Sequence, residues 1–149
     1  MNTQPFRRIL VAVDDSPAAL AAVRTAVALA VSTEGCLRFV HVVGDGVLLR
    51  GLERLGRDGE LAATRSGAAS SLLRHVCAEA ERAGVQADSL RLAGEPGALL
   101  LRAARVWDAD LVVIGRSDAR GAGSAYVGTV AREVLEFSDA PVLVVPRTS

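Results

Sequence analysis

Lysine is missing from this sequence; all 17 basic residues are arginine. The absence removes mechanisms built on a Schiff-base lysine or on the lysine of a phosphate-binding P-loop, and no Gly-Lys-Ser/Thr occurs. It also counts against a phospho-accepting receiver domain, which the acidic pair Asp14-Asp15 after an apolar run would otherwise suggest. Cysteine is scarce. Cys36 and Cys77 stand far apart outside any paired motif, and their simplest role is as small buried hydrophobes. With only His41 and His75 beside them, no zinc-ligand spacing exists. Net charge is zero, so neither nucleic acid nor an acidic membrane is expected as a partner. No apolar run approaches membrane-spanning length, and the opening MNTQPFRRIL turns directly into a strand without a signal-peptide core. A cytoplasmic location is the expectation.

What the chain does have is apolar residues, 50% of 149, enough for one domain with a substantial core. Arg8 to Val13 is a short continuous apolar run, the pattern of a strand buried on both faces. Ser16-Pro17 then signals a helix start, with serine as N-cap and proline at the first helical position. Leu20, Val23, Val27 and Ala30 give that helix an apolar stripe. Leu37 to Val43 is a second strand, within which His41 reads as a packed or hydrogen-bonded histidine. Residues 44 to 59 are rich in glycine and arginine and carry no clear periodicity. A long helix follows from about Leu61 to Ala83, with Leu72, Leu73, Val76 and Ala80 as its stripe and Gly84 as its stop. Asp88 to Ala93 is a third strand and Gly94 to Gly97 a turn. Ala98 to Val106 is a helix with Leu99, Leu100 and Ala103 inward, and Trp107 is a packing anchor at its end. Leu111 to Ile114 is the fourth strand. Thr129 to Phe137 is a helix with Val130, Val134 and Leu135 on one side, and Val142 to Val145 is the fifth strand.

Strands alternating with helices predict an α/β domain spanning residues 1–149, a parallel sheet with helices on both faces. Strand pattern alone leaves two orders open, 3-2-1-4-5 and 2-1-3-4-5. In the first, strands one and four are neighbours where the winding reverses, and a ligand crevice opens outside their carboxyl ends, with Asp14 and Gly115 facing across it. The turn after strand one, Asp14-Asp15-Ser16-Pro17, lacks the glycines of a dinucleotide fingerprint. The stretch from Leu111 to Ala131 is the better anion site. A buried strand runs into a loop of glycine and serine and then into a helix beginning at Gly128-Thr129, whose free backbone N–H groups suit a phosphate. No Ser-His-Asp or Cys-His arrangement is legible, so no catalytic residue is assigned.

These residues resemble the universal stress protein family. The resemblance lies in ILVAVDDSPAALAAVRTAVALA, FVHVV, GEPGALLLRAARVWDADLVVIG and APVLVVP, and covers nearly the whole chain. It implies the 3-2-1-4-5 order, a single doubly wound domain, and a homodimer through Val142, Leu143, Val144 and Val145. Nucleotide-binding members carry a Gly-x2-Gly-x9-Gly-Ser/Thr loop. Here Gly115, Gly128 and Thr129 match in register and Asp118 takes the place of the second glycine. The resemblance places Ala12, Val13, Asp14 and Val42 on the adenine and ribose side. It places Ile114, Gly115 and Ser117 past the ribose, and Gly128, Thr129 and Val130 at the phosphates. ATP, with Mg²⁺, is the implied ligand. A carboxylate at Asp118 about 4 Å from a phosphate charge would cost on the order of 1 kcal/mol in water and about 4 kcal/mol at an effective dielectric of 20. Arg116 and Arg120 flank it and offset that charge. The alternative is a family member that binds no nucleotide and acts through dimerisation and partner contacts.

Overall fold

Five strands form one parallel sheet in the order β3-β2-β1-β4-β5. In chain order the elements are β1 (Arg8–Ala12), α1 (Pro17–Thr33), β2 (Cys36–Val43), α2 (Gly59–Arg82), β3 (Ala87–Ala93), α3 (Pro96–Trp107), β4 (Leu111–Gly115), α4 (Thr129–Phe137) and β5 (Val142–Val145). The computed structural model describes residues 5–43, 59–116 and 127–147, with the backbone alone for 59–69.

Side chains alternate along each strand, so a parallel strand supplies two cores at once. Ile9, Val11, Leu37, Phe39, Leu111 and Val113 pack on one face against the apolar sides of α1 and α2. Leu10, Val40, Val112 and Ile114 pack on the other face against α3 and α4. Ile9, Leu10, Val11, Phe39 and Val113 are fully buried. Each such side chain stabilises the fold by roughly 1.5–3 kcal/mol relative to exposure. The helices cover both faces, as the alternation of elements requires.

Helix ends follow their local signals. Ser16 has extended backbone and its Oγ accepts from the Ala19 N–H at 3.1 Å, with Pro17 opening the helix. Gly84 takes φ +79 just past α2, a conformation natural to glycine.

The structure corrects several details. In α1 the buried surface is mainly alanine (Ala18, Ala19, Ala21, Ala22, Ala26 and Ala30) with Val23. Leu20 and Val27 are only half-buried. In α3 the buried residues are Gly97, Leu100, Leu101 and Ala104; Ala103 packs against the same core half-buried, and Leu99 is not part of it. In α4 they are Ala131 and Val134, while Leu135 is 46% exposed. Where a helix lies close to a sheet, alanine fits and a longer side chain is turned to the rim. Pro96 and Gly97 belong to α3, not to a turn, and β1 ends at Ala12. Cys36 and Cys77 are free thiols and only half-buried; burial pushes the Cys77 thiol up.

Candidate functional site at the carboxyl end of the sheet

The reversal of winding falls between β1 and β4, which pair with Val11 opposite Val113. Continuing that register brings Val13 beside Gly115 at the carboxyl end of the sheet, where open α/β folds bind ligands.

On the β1 side, Asp14 Oδ1 accepts from the Ser16 N–H at 2.8 Å, and Ser16 caps α1. Two donors at this helix start, the Ser16 and Ala19 N–H groups, are thus satisfied locally. The Val13 N–H donates to Val40 O at 2.9 Å. His41 Nδ1 lies 2.8 Å from Val13 O. A carbonyl oxygen only accepts, so Nδ1 carries the proton. The hydrogen-bonded reading of His41 is the one the structure shows. Val13 itself is 4% exposed and packs into the α1/α2 core, so only its backbone is at hand for a ligand.

On the β4 side, Gly115 has a packing duty. A methyl at this position would sit 2.6 Å from the Ala18 carbonyl carbon and 2.8 Å from Ala19 N. Only glycine lets the first turn of α1 lie on the end of β4. Arg116 continues the sheet through its backbone, donating to Val145 O at 2.7 Å. Its Nε is buried and has no hydrogen-bond partner among the described residues. Beyond it, α4 begins at Gly128, a buried N-cap with extended backbone and no side chain to cap the helix. Its Thr129 is exposed.

Among the predicted site residues, Ala12, Val42, Ile114 and Val130 share one apolar cluster on the α3/α4 face. Asp14, Gly115, Gly128 and Thr129 stand at the carboxyl ends of β1 and β4 and at the start of α4. Ser117 and Asp118 lie outside the described residues, as do Arg120 and most of the stretch from 44 to 59. Ala131, which follows the Gly128-Thr129 pair, is 3% exposed and serves the core. Among the described residues no cluster of three or more His, Cys, Asp or Glu is placed to hold a metal ion, and no helix is long and apolar enough to cross a membrane.

The opposite end of the sheet holds contacts that local sequence patterns do not reveal. Asp110 accepts from the backbone N–H groups of Arg7 and Arg8, both at 2.9 Å. Arg8 Nε donates to Trp107 O at 2.8 Å. The guanidinium groups of Arg8 and Arg38 lie 4.7 and 4.9 Å from the centroid of the Trp107 ring. Arg38 also grips both carboxylate oxygens of Asp88 at 2.8 Å. Trp107 is thus the packing anchor expected, with cations as its neighbours. An open groove of about 630 Å³ at this end is lined by Arg7, Glu34, Cys36 and Gln86, among others. It lies away from the crevice.

A doubly wound α/β domain whose winding reverses between β1 and β4 is the class that the fold defines. The family model described as the universal stress protein family matches residues 5–146. The chain belongs to the universal stress protein family. It is 28% identical over 146 residues to universal stress protein YxiE of Bacillus subtilis, covering 94% of this chain and 99% of that protein. Universal stress protein UspA from Lactobacillus plantarum has a similar structure, with a TM-score of 0.80 at 24% identity over 95% of this chain and 98% of that one. The universal stress protein from Archaeoglobus fulgidus in complex with dAMP has a TM-score of 0.68 at 24% identity, over 94% and 98% of the two chains.

Proposed function

We propose that this protein is a stress-response module that binds an adenine nucleotide, ATP with Mg²⁺, in the crevice between β1 and β4. The observation that carries this reading is the start of α4. Gly128 leaves the helix N-terminus without a side-chain cap, and it stands where the family's phosphate loop has its third glycine. Free N–H groups there suit an anion. The buried Nε of Arg116, without a partner among the described residues, adds a donor on the β4 side. Ala12, Val42, Ile114 and Val130 supply apolar surface for a base and ribose. That the Archaeoglobus fulgidus relative was solved with dAMP supports the same ligand class.

Isothermal titration with Mg-ATP tests this reading. Saturable heat is expected, and its absence at millimolar nucleotide would overturn it. Asp118→Gly is expected to tighten triphosphate binding by removing a charge near the phosphates. The same reading includes a homodimer. β5 is an edge strand with Leu143 37% exposed, and pairing it with its twin across a two-fold axis removes an unpaired edge. Should the titration give no heat while light scattering gives a dimer mass, the alternative of a family member acting through dimerisation takes its place.

A further inference from the structure

The ladder between β1 and β2 stops one residue earlier than its register allows, and a side chain bonds the carbonyl that would continue it. Ala12 pairs with Val40, and the Val13 N–H still donates to Val40 O at 2.9 Å. In a parallel ladder a residue that donates in this way accepts, through its own carbonyl, from the N–H two residues further along the partner. For Val13 that donor is Val42. The Val42 N–H makes no such bond. The Val13 carbonyl instead accepts from His41 Nδ1 at 2.8 Å.

We infer that His41 is a positioning residue for the crevice: its ring N–H takes the ladder acceptor of Val42 and so keeps the Val42 backbone N–H available to a ligand. The inference rests on the nucleotide reading above for the identity of the ligand, an adenine ring presenting an acceptor nitrogen. The parting of the strands stands without it. Three consequences follow from the geometry. The Val13 carbonyl is satisfied, so the end of β1 that leads to Asp14 is held in place. The imidazole is locked as the Nδ1–H tautomer when neutral, and the protonated ring keeps the same donor. The Val42 side chain belongs to the same apolar cluster as Ala12 and Ile114, the cluster that would receive the base. A backbone donor in apolar surroundings discriminates well among ligands, because leaving it unpaired is costly.

Two variants separate the donor from the bulk of the ring. Asn at position 41 can present its amide N–H near the place of Nδ1, whereas Leu cannot. The first readout needs no ligand: the exchange rate of the Val42 amide by ¹⁵N-resolved hydrogen exchange. The amide is expected to exchange readily in the native protein and in His41→Asn. In His41→Leu the ladder closes onto Val13 and exchange slows at least tenfold. A side chain that merely stabilised the strand would give the opposite change, faster exchange on its removal. The second readout is calorimetric affinity for adenosine and for Mg-ATP, expected to fall at least tenfold in His41→Leu and less than threefold in His41→Asn. Equal protection of Val42 in the native protein and in His41→Leu would overturn the inference, as would equal affinities of the two variants. Should neither ligand bind the native protein, the nucleotide reading fails, while the Val42 exchange rates still decide whether His41 parts the strands. If His41→Leu does not fold, the native protein decides. An Nδ1–H ring signature with an unprotected Val42 amide supports the inference, and an Nε2–H ring or a Val42 amide as protected as Val40 overturns it.

Discussion

The two ends of one sheet are finished in opposite ways. At the amino end a set of side chains bonds backbone and one another across three strands. Asp110 takes two backbone N–H groups, Arg8 bonds the Trp107 carbonyl, and Arg38 closes a two-pronged pair with Asp88 beside the indole ring. At the carboxyl end the chain leaves donors open. The α4 start has no side-chain cap, Arg116 Nε is buried without a partner among the described residues, and Val42 makes no bond to Val13. The nearby start of α1 shows that the open state is not a general property of that end, since Asp14 and Ser16 close it locally. Unpaired buried donors destabilise a fold. Among the described residues these open donors gather at one end, opposite the bonded contacts of the other; under the reading proposed above, one end holds the strands and the other receives a ligand.

The sharpest way to break this division is at Asp110. Asp110→Ala removes the acceptor of two backbone N–H groups that hold the entry to β1. Hydrogen bonds to a charged acceptor are worth about 1.5–3 kcal/mol each when well shielded, and less where solvent reaches them. A loss of about 2 kcal/mol in urea unfolding is expected, with the midpoint falling and Mg-ATP affinity within twofold of native. A variant that lost affinity while keeping its stability would erase the division.

The complementary change is Gly128→Asp. Aspartate is a strong N-cap, so its carboxylate would occupy the N–H groups of α4 and repel an anion there. Affinity for Mg-ATP is expected to fall at least tenfold, about 1.4 kcal/mol. Thermal stability is expected to hold or rise slightly, as closing an open helix end should. A tenfold loss accompanied by a collapse in Tm would instead mark Gly128 as a packing residue like Gly115.

What could be read from the residues beforehand follows the same line. The strands were legible because parallel strands buried on both faces are continuous apolar runs, and the first helix because Ser16-Pro17 is a local signal. The phase of α4 is not legible in the sequence, because Leu135 looks more like core than Ala131 and only the closeness of helix to sheet makes alanine the better fit. Spacing marks Gly115 for a ligand loop, and the structure gives it in addition the contact with Ala18 and Ala19. The amino-end network joins residues 8, 38, 88, 107 and 110, a set that no window along the chain contains. Nor does a histidine in a strand announce whether its ring will reach the neighbouring backbone, as His41 does.

The smallest expected effect concerns pH, and it bears on the amino end alone. Hydrogen bonding to Arg38 holds the Asp88 carboxyl below the usual carboxylate range. A carboxyl lowered on folding contributes stability above its unfolded value of about 3.9, and that contribution is lost as pH falls through the lower folded value. The Asp88 side chain is 57% exposed, so solvent screening keeps the contribution below about 1 kcal/mol. Between pH 7 and 5 the pair is fully formed, and Asp88→Asn should cost the same small amount at both. Below about pH 4 the native protein loses that increment and its stability converges on the variant's. Urea midpoints of the two proteins across this range check the sign. Curves that diverge on acidification would mean that the carboxyl is raised by folding, and that the bonded end of the sheet is not held together by the Arg38–Asp88 pair.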